Sequence, residues 1–426
     1  MFEECDMNDV GIAVMAGAIA GLVDVVFVGE PGKSMLGKFT DKMADNVVIR
    51  AAQMLWKSDS RPDGAGRGHK GEMPVSVAKC IEYLGEKYKV NYDIPTAGSD
   101  EGFMMNPQNH HFKSLAHSPD LIGLIFSILD QFMNTATFAS NGQIIVIDTS
   151  DQESPLRGTN FISRLMCGIG NWFMHIISDM AGHESSRKNG ERGAGVAIPG
   201  MELFNLCNFG SFTTGKNEKS TLSEVMVKVY SSGYDMRFGA ALAIPVLLEE
   251  AIIKICWVIK ARFYKNREWK DCVPDSKHGD LRVMLIIGNS ALCVIDGVDA
   301  AVRSGGDWIR FFLRLNMVAW YRLIKMVLKE VFLRLGYEEY SMVEAMERIN
   351  EELRVYLSEL GEYDFDAIEN EIAQLQDLDR KLLSTPGDRL TDILYMEIER
   401  QGITLPFKNI TELDDFMNDD SSRLSF

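Results

Sequence analysis

The sequence has no CxxC pair. Its seven cysteines, Cys5, Cys80, Cys167, Cys207, Cys256, Cys272 and Cys293, are scattered over 426 residues. That spacing argues against a disulfide framework and against a cysteine-based zinc site, and a reducing compartment is the natural setting. There is no positively charged start followed by a cleavage site, so no secretory signal is expected. Basic residues are also short: 44 Lys and Arg stand against 61 Asp and Glu, a net charge of −17. A duplex-binding protein normally carries a basic face, so no nucleic-acid partner is expected. Long apolar runs free of charge are missing as well. Val10 to Gly29 contains Asp24, the run 237–264 contains Glu249 and Glu250, and the run 282–302 contains Asp296 and Asp299. A charge at a bilayer centre costs roughly 2.5–3.5 kcal/mol even on the lenient scale. The expectation is therefore a cytoplasmic protein, peripheral to or embedded in an inner membrane, with Val10 to Gly29 buried in a helical body.

The acidity is unevenly placed. From Glu338 to the end there are 23 acidic and 8 basic residues, a balance of −15, which leaves −2 for the rest of the chain. The fold class this predicts is mainly α, a multi-helix body with a small acidic helical appendage at 338–426. The body divides into a site-bearing region, 1–210, and a second helical part, 211–337. Within 308–335 the residues Arg310, Arg314, Arg322, Lys325 and Lys329 lie on one face of a predicted amphipathic helix. Such a face reads as a peripheral membrane contact or as the solvated side of a core helix.

What is present, against this background, is histidine in clusters. The stretch Asn171-Trp-Phe-Met-His-Ile-Ile-Ser-Asp-Met-Ala-Gly-His183 places His175 and Asp179 four residues apart in an apolar run. On a helix, positions i and i+4 share a face, so imidazole and carboxylate point into one space. A buried charge needs a partner, and a divalent metal or an internal His–Asp hydrogen bond would each serve. His183 falls near the same face if the helix survives Gly182. A second segment, Asn109-His-His-Phe-Lys-Ser-Leu-Ala-His-Ser-Pro119, carries His110, His111 and His117, three of the seven histidines in the chain. Neutral imidazole is the commonest ligand for zinc and similar ions. Ser118 and Pro119 predict a helix start immediately after His117. One further motif fails on spacing: Gly29-Glu-Pro-Gly-Lys-Ser34 suggests a phosphate loop, but Phe27 stands where the first glycine belongs. A turn closing the first helix explains it. The run Asn141 to Thr149 is the one β-like stretch and predicts a small hairpin or an edge strand.

A helix ending in Asp24, the histidine segment entering an apolar helix, and the SHxxxD-like helix followed by a glycine-rich loop resemble the YdjM-type membrane-bound metal-dependent hydrolases. The third segment is also similar to zinc-dependent phospholipase C. The resemblance covers about residues 10–205. It implies Asp24, His111, His117, His175, Asp179 and His183 as metal ligands, with Asp24 and Asp179 as the carboxylates available for catalysis. It further implies a divalent metal, zinc by analogy, and hydrolysis of a phosphoester or lipid-like substrate by metal-activated water. The departures are specific. Only Asp24 remains of the family's Asp-x-Asp-His, the pair His111 and His117 is six apart rather than five, and Ala116 replaces a threonine. A reshaped site, or a non-catalytic membrane-associated or interaction protein that keeps the fold, are the two outcomes such departures allow.

Overall fold

The structure is a computed structural model, which describes residues 5–59, 72–94, 105–106, 108–151, 156–215 and 218–334, together with 377, 380, 381, 396 and 412. By internal contacts the chain divides into two units, Met1–Arg334 and Leu335–Phe426. The acidic appendage expected at 338–426 lies almost wholly outside the described residues, as does His69. The described fold is mainly α, with two small antiparallel hairpins.

Four helices form a bundle. Helix α1 (Met7–Val23) continues through a wide turn, Asp24–Val28. Asp6 caps it, its carboxylate accepting from the Asn8 and Asp9 backbone N–H groups. Helix α9 (Met236–Ile259), helix α10 (Gly279–Ser304) and helix α12 (Met317–Arg334) complete the set. Their contacts fix the directions. Lys260 pairs with Asp9, Asn289 donates to the Ala319 carbonyl, and Arg282 pairs with Glu330. Helices α1 and α10 therefore run one way, and α9 and α12 the other. Small residues let α1 and α10 approach closely, as helices do where packing rather than water drives association. A Cβ at Gly17 would stand 2.0 Å from the Gly288 carbonyl oxygen, and a Cβ at Gly288 would stand 2.4 Å from Glu249 Oε1.

The remaining helices of the unit gather at one end of the bundle. These are α2 (Met35–Asp59), α3 (Val77–Lys87), the single turn α4 (His110–Lys113), α5 (Leu121–Met133), α6 (Phe161–Asp179), α7 (Glu184–Lys188), α8 (Leu222–Ser231) and α11 (Trp308–Arg314). Phe112 of α4 shares a core with Val28, Tyr230 and Phe238, tying this body to the ends of α1 and α9. Strands β1 (Thr135–Ser140) and β2 (Gln143–Asp148) form the expected hairpin. Its turn is Asn141-Gly142 with φ of 50° and 81°, the left-handed pair that a two-residue hairpin requires. Strands β3 (Phe212–Thr214) and β4 (Glu218–Ser220) form the second hairpin.

Three local expectations change. Helix α5 is capped by Asp120, whose carboxylate accepts from the Gly123 N–H, so the start falls two residues later than Ser118. The helix read across 308–335 is broken at Leu315 and Asn316 into α11 and α12. Its basic residues are not one free face: Arg314 pairs with Asp299 and Glu30, and Arg322 pairs with Glu250.

Candidate metal centre

The site begins with α6. Asn160 caps the helix reciprocally with Ser163, and the apolar run to Ile177 holds it against α3 and α5. Its last turn presents His175 and Asp179 together, with His175 Nε2 3.3 Å from Asp179 Oδ2. The helix then stops. Gly182 takes φ of +95°, and a Cβ there would meet the Arg192 carbonyl oxygen at 2.6 Å, so only glycine suits the turn.

The second contributor is the segment from α4 through the short 3-10 turn Leu115–His117. It delivers three imidazoles to the end of α6. His117 Nε2 lies 3.2 Å from His175 Nε2 and 3.8 Å from Asp179 Oδ2, and His111 Nε2 lies 3.4 Å from Asp179 Oδ2. The third contributor is Asp93. Its Oδ1 lies 3.2 Å from His110 Nε2 and 3.9 Å from His117 Nε2, and its Oδ2 lies 3.9 Å from His175 Nε2. Asn91 fixes this short segment, its Nδ2 group sharing its two hydrogens among the Asp130 and Thr135 carbonyls and Thr149 Oγ1, each at 2.8 Å. Tyr92, fully buried, sets its ring edge-on to His117 and His175 at 5.1 and 6.0 Å.

These donors form two overlapping groups that share His117: Asp93, His110, His111 and His117, and then His117, His175 and Asp179. Metal–nitrogen and metal–oxygen bonds near 2.1 Å place neighbouring donors about 3.4 Å apart around a tetrahedral ion and about 3.0 Å apart around an octahedral one. The shortest spacings, 3.2–3.4 Å, fall in that range, and all donors of each group lie within 4.8 Å of one another. Asp179 Oδ2 is buried, has no hydrogen-bond partner, and sits among three Nε2 atoms. The residues therefore fit a metal ion, and the donor set of imidazole and carboxylate suits zinc and other first-row ions alike.

Electrostatics explain why such a cluster wants a cation. Burial, then the other histidines, holds His111 and His117 well below the usual imidazole range. Burial likewise lowers His175. Burial, and then the charge of Asp93, pushes Asp179 well above the usual carboxylate range. Neutral imidazoles are ready ligands, and a divalent ion would favour the ionised form of Asp179.

The expected ligands separate into those brought together and those not. His111, His117, His175 and Asp179 converge. Asp24 does not join them: Asn316 Nδ2 donates to its Oδ1 at 2.8 Å, within a core of α9, α10 and α12. The lone carboxylate in the first apolar run found an amide partner rather than a metal. His183 stands beside the site, its ring 5.6 Å from that of His110. Its Nδ1 caps α7 and bonds to Ser185 Oγ at 2.9 Å, and His183 belongs to neither donor group of the cluster. Asp93 and His110 are the donors that spacing alone did not select. His110 was visible in the histidine-rich segment, whereas Asp93 sits in a stretch with no periodic signal.

The fold and site define a mainly helical protein with a buried His/Asp group able to hold a metal ion. No family model, no curated protein and no solved structure matches the chain.

Proposed function

We propose that the protein is a metal-dependent hydrolase acting on a phosphoester, with a lipid-like substrate and zinc as the natural candidate ion. The observation that carries this reading is the unpartnered Asp179 oxygen among three imidazole nitrogens at metal-ligand spacing. When bound, a divalent ion supplies a water of pKa near 7 and a Lewis acid for the phosphoryl oxygens. His111, His117, His175 and Asp179 would hold it. Asp93, set beside His110, His117 and His175 by a separate segment, is the further carboxylate at the site and the one we assign to accept a proton from an attacking water. Six donors lie in the two groups, more than the four that a tetrahedral zinc site would use.

The lipid-like character of the substrate rests on the surroundings. Leu121, Ile125, Leu129 and Met133 form an exposed apolar stripe on α5, the helix that follows His117. Two helices of the same unit, Met7–Val28 and Gly279–Ser304, are long and apolar enough to cross a membrane.

The test is metal content by plasma mass spectrometry, then hydrolysis of bis-p-nitrophenyl phosphate and p-nitrophenyl phosphorylcholine with and without chelator. Chelator-sensitive hydrolysis restored by zinc supports the reading. Metal binding without hydrolysis of either compound would favour the non-catalytic protein that keeps the fold.

A further inference from the structure

The four-helix bundle holds a second set of unmatched polar atoms, apart from the His/Asp centre. Glu249 of α9 is fully buried, and neither of its carboxylate oxygens has a hydrogen-bond partner among the described residues. Asn289 of α10 is fully buried as well. Its Nδ2 donates to the Ala319 carbonyl of α12 at 2.9 Å and to Cys293 Sγ at 3.6 Å. Its Oδ1 has no donor among the described residues.

Glu249 reaches α10 at the residue before Asn289. A Cβ on Gly288 would stand 2.4 Å from Glu249 Oε1 and 3.1 Å from the Ala13 carbonyl oxygen of α1. The missing side chain of Gly288 therefore leaves a gap bordered by a carboxylate oxygen and a main-chain carbonyl. A carbonyl oxygen has two lone pairs, so one remains after its helical hydrogen bond. Asp24 and Asp296 line the same bundle but differ in kind, because Asn316 and Trp320 donate to them.

The charged groups facing Glu249 do not neutralise it. Arg322 of α12 pairs with Glu250 at 2.8 Å and donates to the Val246 carbonyl at 3.3 Å. Lys254 pairs with Glu250 at 2.6 Å. The α1 residues packed here are Ala13, Ala16 and Gly17, which bring no charge. On α10 the titratable neighbour is the Cys293 thiol.

An ionised carboxylate with no partner in a packed interior is costly, so such a group carries a proton or binds a cation. The donors indicate which cation. They are all oxygens, from a carboxylate, an amide and a main-chain carbonyl. Such donors suit hard ions rather than the first-row metals that imidazole attracts. A single negative charge is present. A divalent ion would leave an uncompensated positive charge in the same interior, whereas an alkali ion leaves none. The close approach of α1 and α10 at Gly17 and Gly288 suits a small ion.

We propose that Glu249 and Asn289, with the Ala13 carbonyl, form a sodium-ion site between α1, α9 and α10, at which a proton competes for the Glu249 carboxylate. The site shares no residue with the His/Asp centre and stands or falls independently of hydrolysis there. Its occupancy ties three helices of the bundle together, so bundle stability depends on both sodium and pH.

The experiment uses the purified full chain with its own metal content. Thermal unfolding is followed at pH 8.5 in sodium chloride or choline chloride of equal ionic strength. Sodium should raise Tm saturably above choline. Its apparent affinity should fall toward tenfold per pH unit as the pH is lowered, because the proton must leave before the ion binds. Glu249→Gln keeps the shape and removes the charge, and it should abolish the sodium shift. Asn289→Ala should raise the sodium concentration needed, and Asp24→Asn should leave it unchanged. A second measurement needs no variant. Dicyclohexylcarbodiimide modifies protonated carboxyls in apolar surroundings, and peptide mass spectrometry locates the adduct. At pH 6.5 Glu249 should be modified, and sodium should slow the reaction relative to choline. A sodium shift that persists in Glu249→Gln overturns the site. Absence of any sodium-specific shift in Tm, or modification of Glu249 at a rate sodium does not change, gives that carboxyl a proton alone and overturns it equally.

Discussion

His117 is the one donor shared by both groups of the candidate centre, so its removal is the most discriminating perturbation. Replacing His117 by Ala deletes the Nε2 that lies 3.2 Å from His175 Nε2, 3.8 Å from Asp179 Oδ2 and 3.9 Å from Asp93 Oδ1. Structural zinc sites bind with about 10–16 kcal/mol over four ligands, or about 2.5–4 kcal/mol per ligand. Loss of one ligand then weakens binding by about 10²–10³-fold. His183→Ala is the control, because that ring is adjacent but belongs to neither donor group. Its metal affinity should stay within a few-fold of the parent. The assay is competition with a chromogenic chelator, run alongside far-UV circular dichroism so that unfolding is not mistaken for ligand loss. A second readout is thermal. Saturating metal at a thousand times Kd stabilises by about 4.1 kcal/mol. Across the unit Met1–Arg334, an unfolding entropy of about 2.1 cal/mol/K per residue makes that a rise of about 6 °C in Tm. Equal affinity in His117→Ala and the parent protein, with no Tm change on adding chelator, would refute the assignment.

Glu202 is fully buried with no basic partner among the described residues, and burial raises its pKa from 4.5 to about 7. Its folded-state pKa is the higher one, so the stability tied to its proton is fully present below about pH 4.5 and is lost as pH rises through about 7. That loss is roughly 3 kcal/mol. Glu202→Gln should therefore raise Tm at pH 8 and leave it nearly unchanged at pH 4.5; an equal effect at both would dismiss the linkage. Gly17→Ala should lower stability by about 1–3 kcal/mol, because its Cβ would meet the Gly288 backbone oxygen at 2.0 Å. An unchanged Tm for that variant would mean α1 and α10 do not pack this closely. Asp93→Asn should cut hydrolysis more than metal content if Asp93 acts on the water; parallel losses would make it a ligand only.

The parts of this molecule that could be read from sequence are those set by local chemistry. The spacing of His175 and Asp179 gave one face of one helix, because four residues is a helical turn wherever the helix packs. The β-like run 141–149 supplies strand β2, and its first two residues, Asn141 and Gly142, form the hairpin turn with the two positive φ values such a turn needs. Asp93 could not be read that way. Its place is set by the three bonds of Asn91 to residues 39, 44 and 58 positions away, and none of these leaves a pattern near residue 93. Two residues of the basic set in 308–335 show a related point. The acidic partners of Arg314 and Arg322 lie on α10 and α9, so a face that looks free in one helix is spent in tertiary pairs.

Asp24 and Asp179 show why a carboxylate in an apolar helix is a reliable signal of a partner but not of which partner. Both are buried on helices rich in apolar residues. Around Asp24 the polar groups close on themselves. Asn316 Nδ2 donates to Asp24, the Asn316 N–H donates to both oxygens of Asp296, and Trp320 Nε1 donates to Asp296 Oδ2 at 2.9 Å. Around Asp179 they do not. Its Oδ2 accepts no hydrogen bond, and the Nδ1 atoms of His111, His117 and His175 are also without partners. Leaving a buried polar atom unmatched costs about 1–3 kcal/mol. An unmatched carboxylate oxygen among three imidazoles would be such a penalty in a purely structural element, which apolar residues of the same size could fill without it. Coordination would satisfy Asp179 Oδ2 and the converging Nε2 atoms in one step. The first cluster is therefore the one a chelator should leave untouched, and the second the one it should destabilise. A metal-dependent change in hydrogen exchange confined to the ends of α4 and α6, with none at Asn316, is the expected signature; protection changes centred on α12 instead would assign the ion to Asp24 and Asp296.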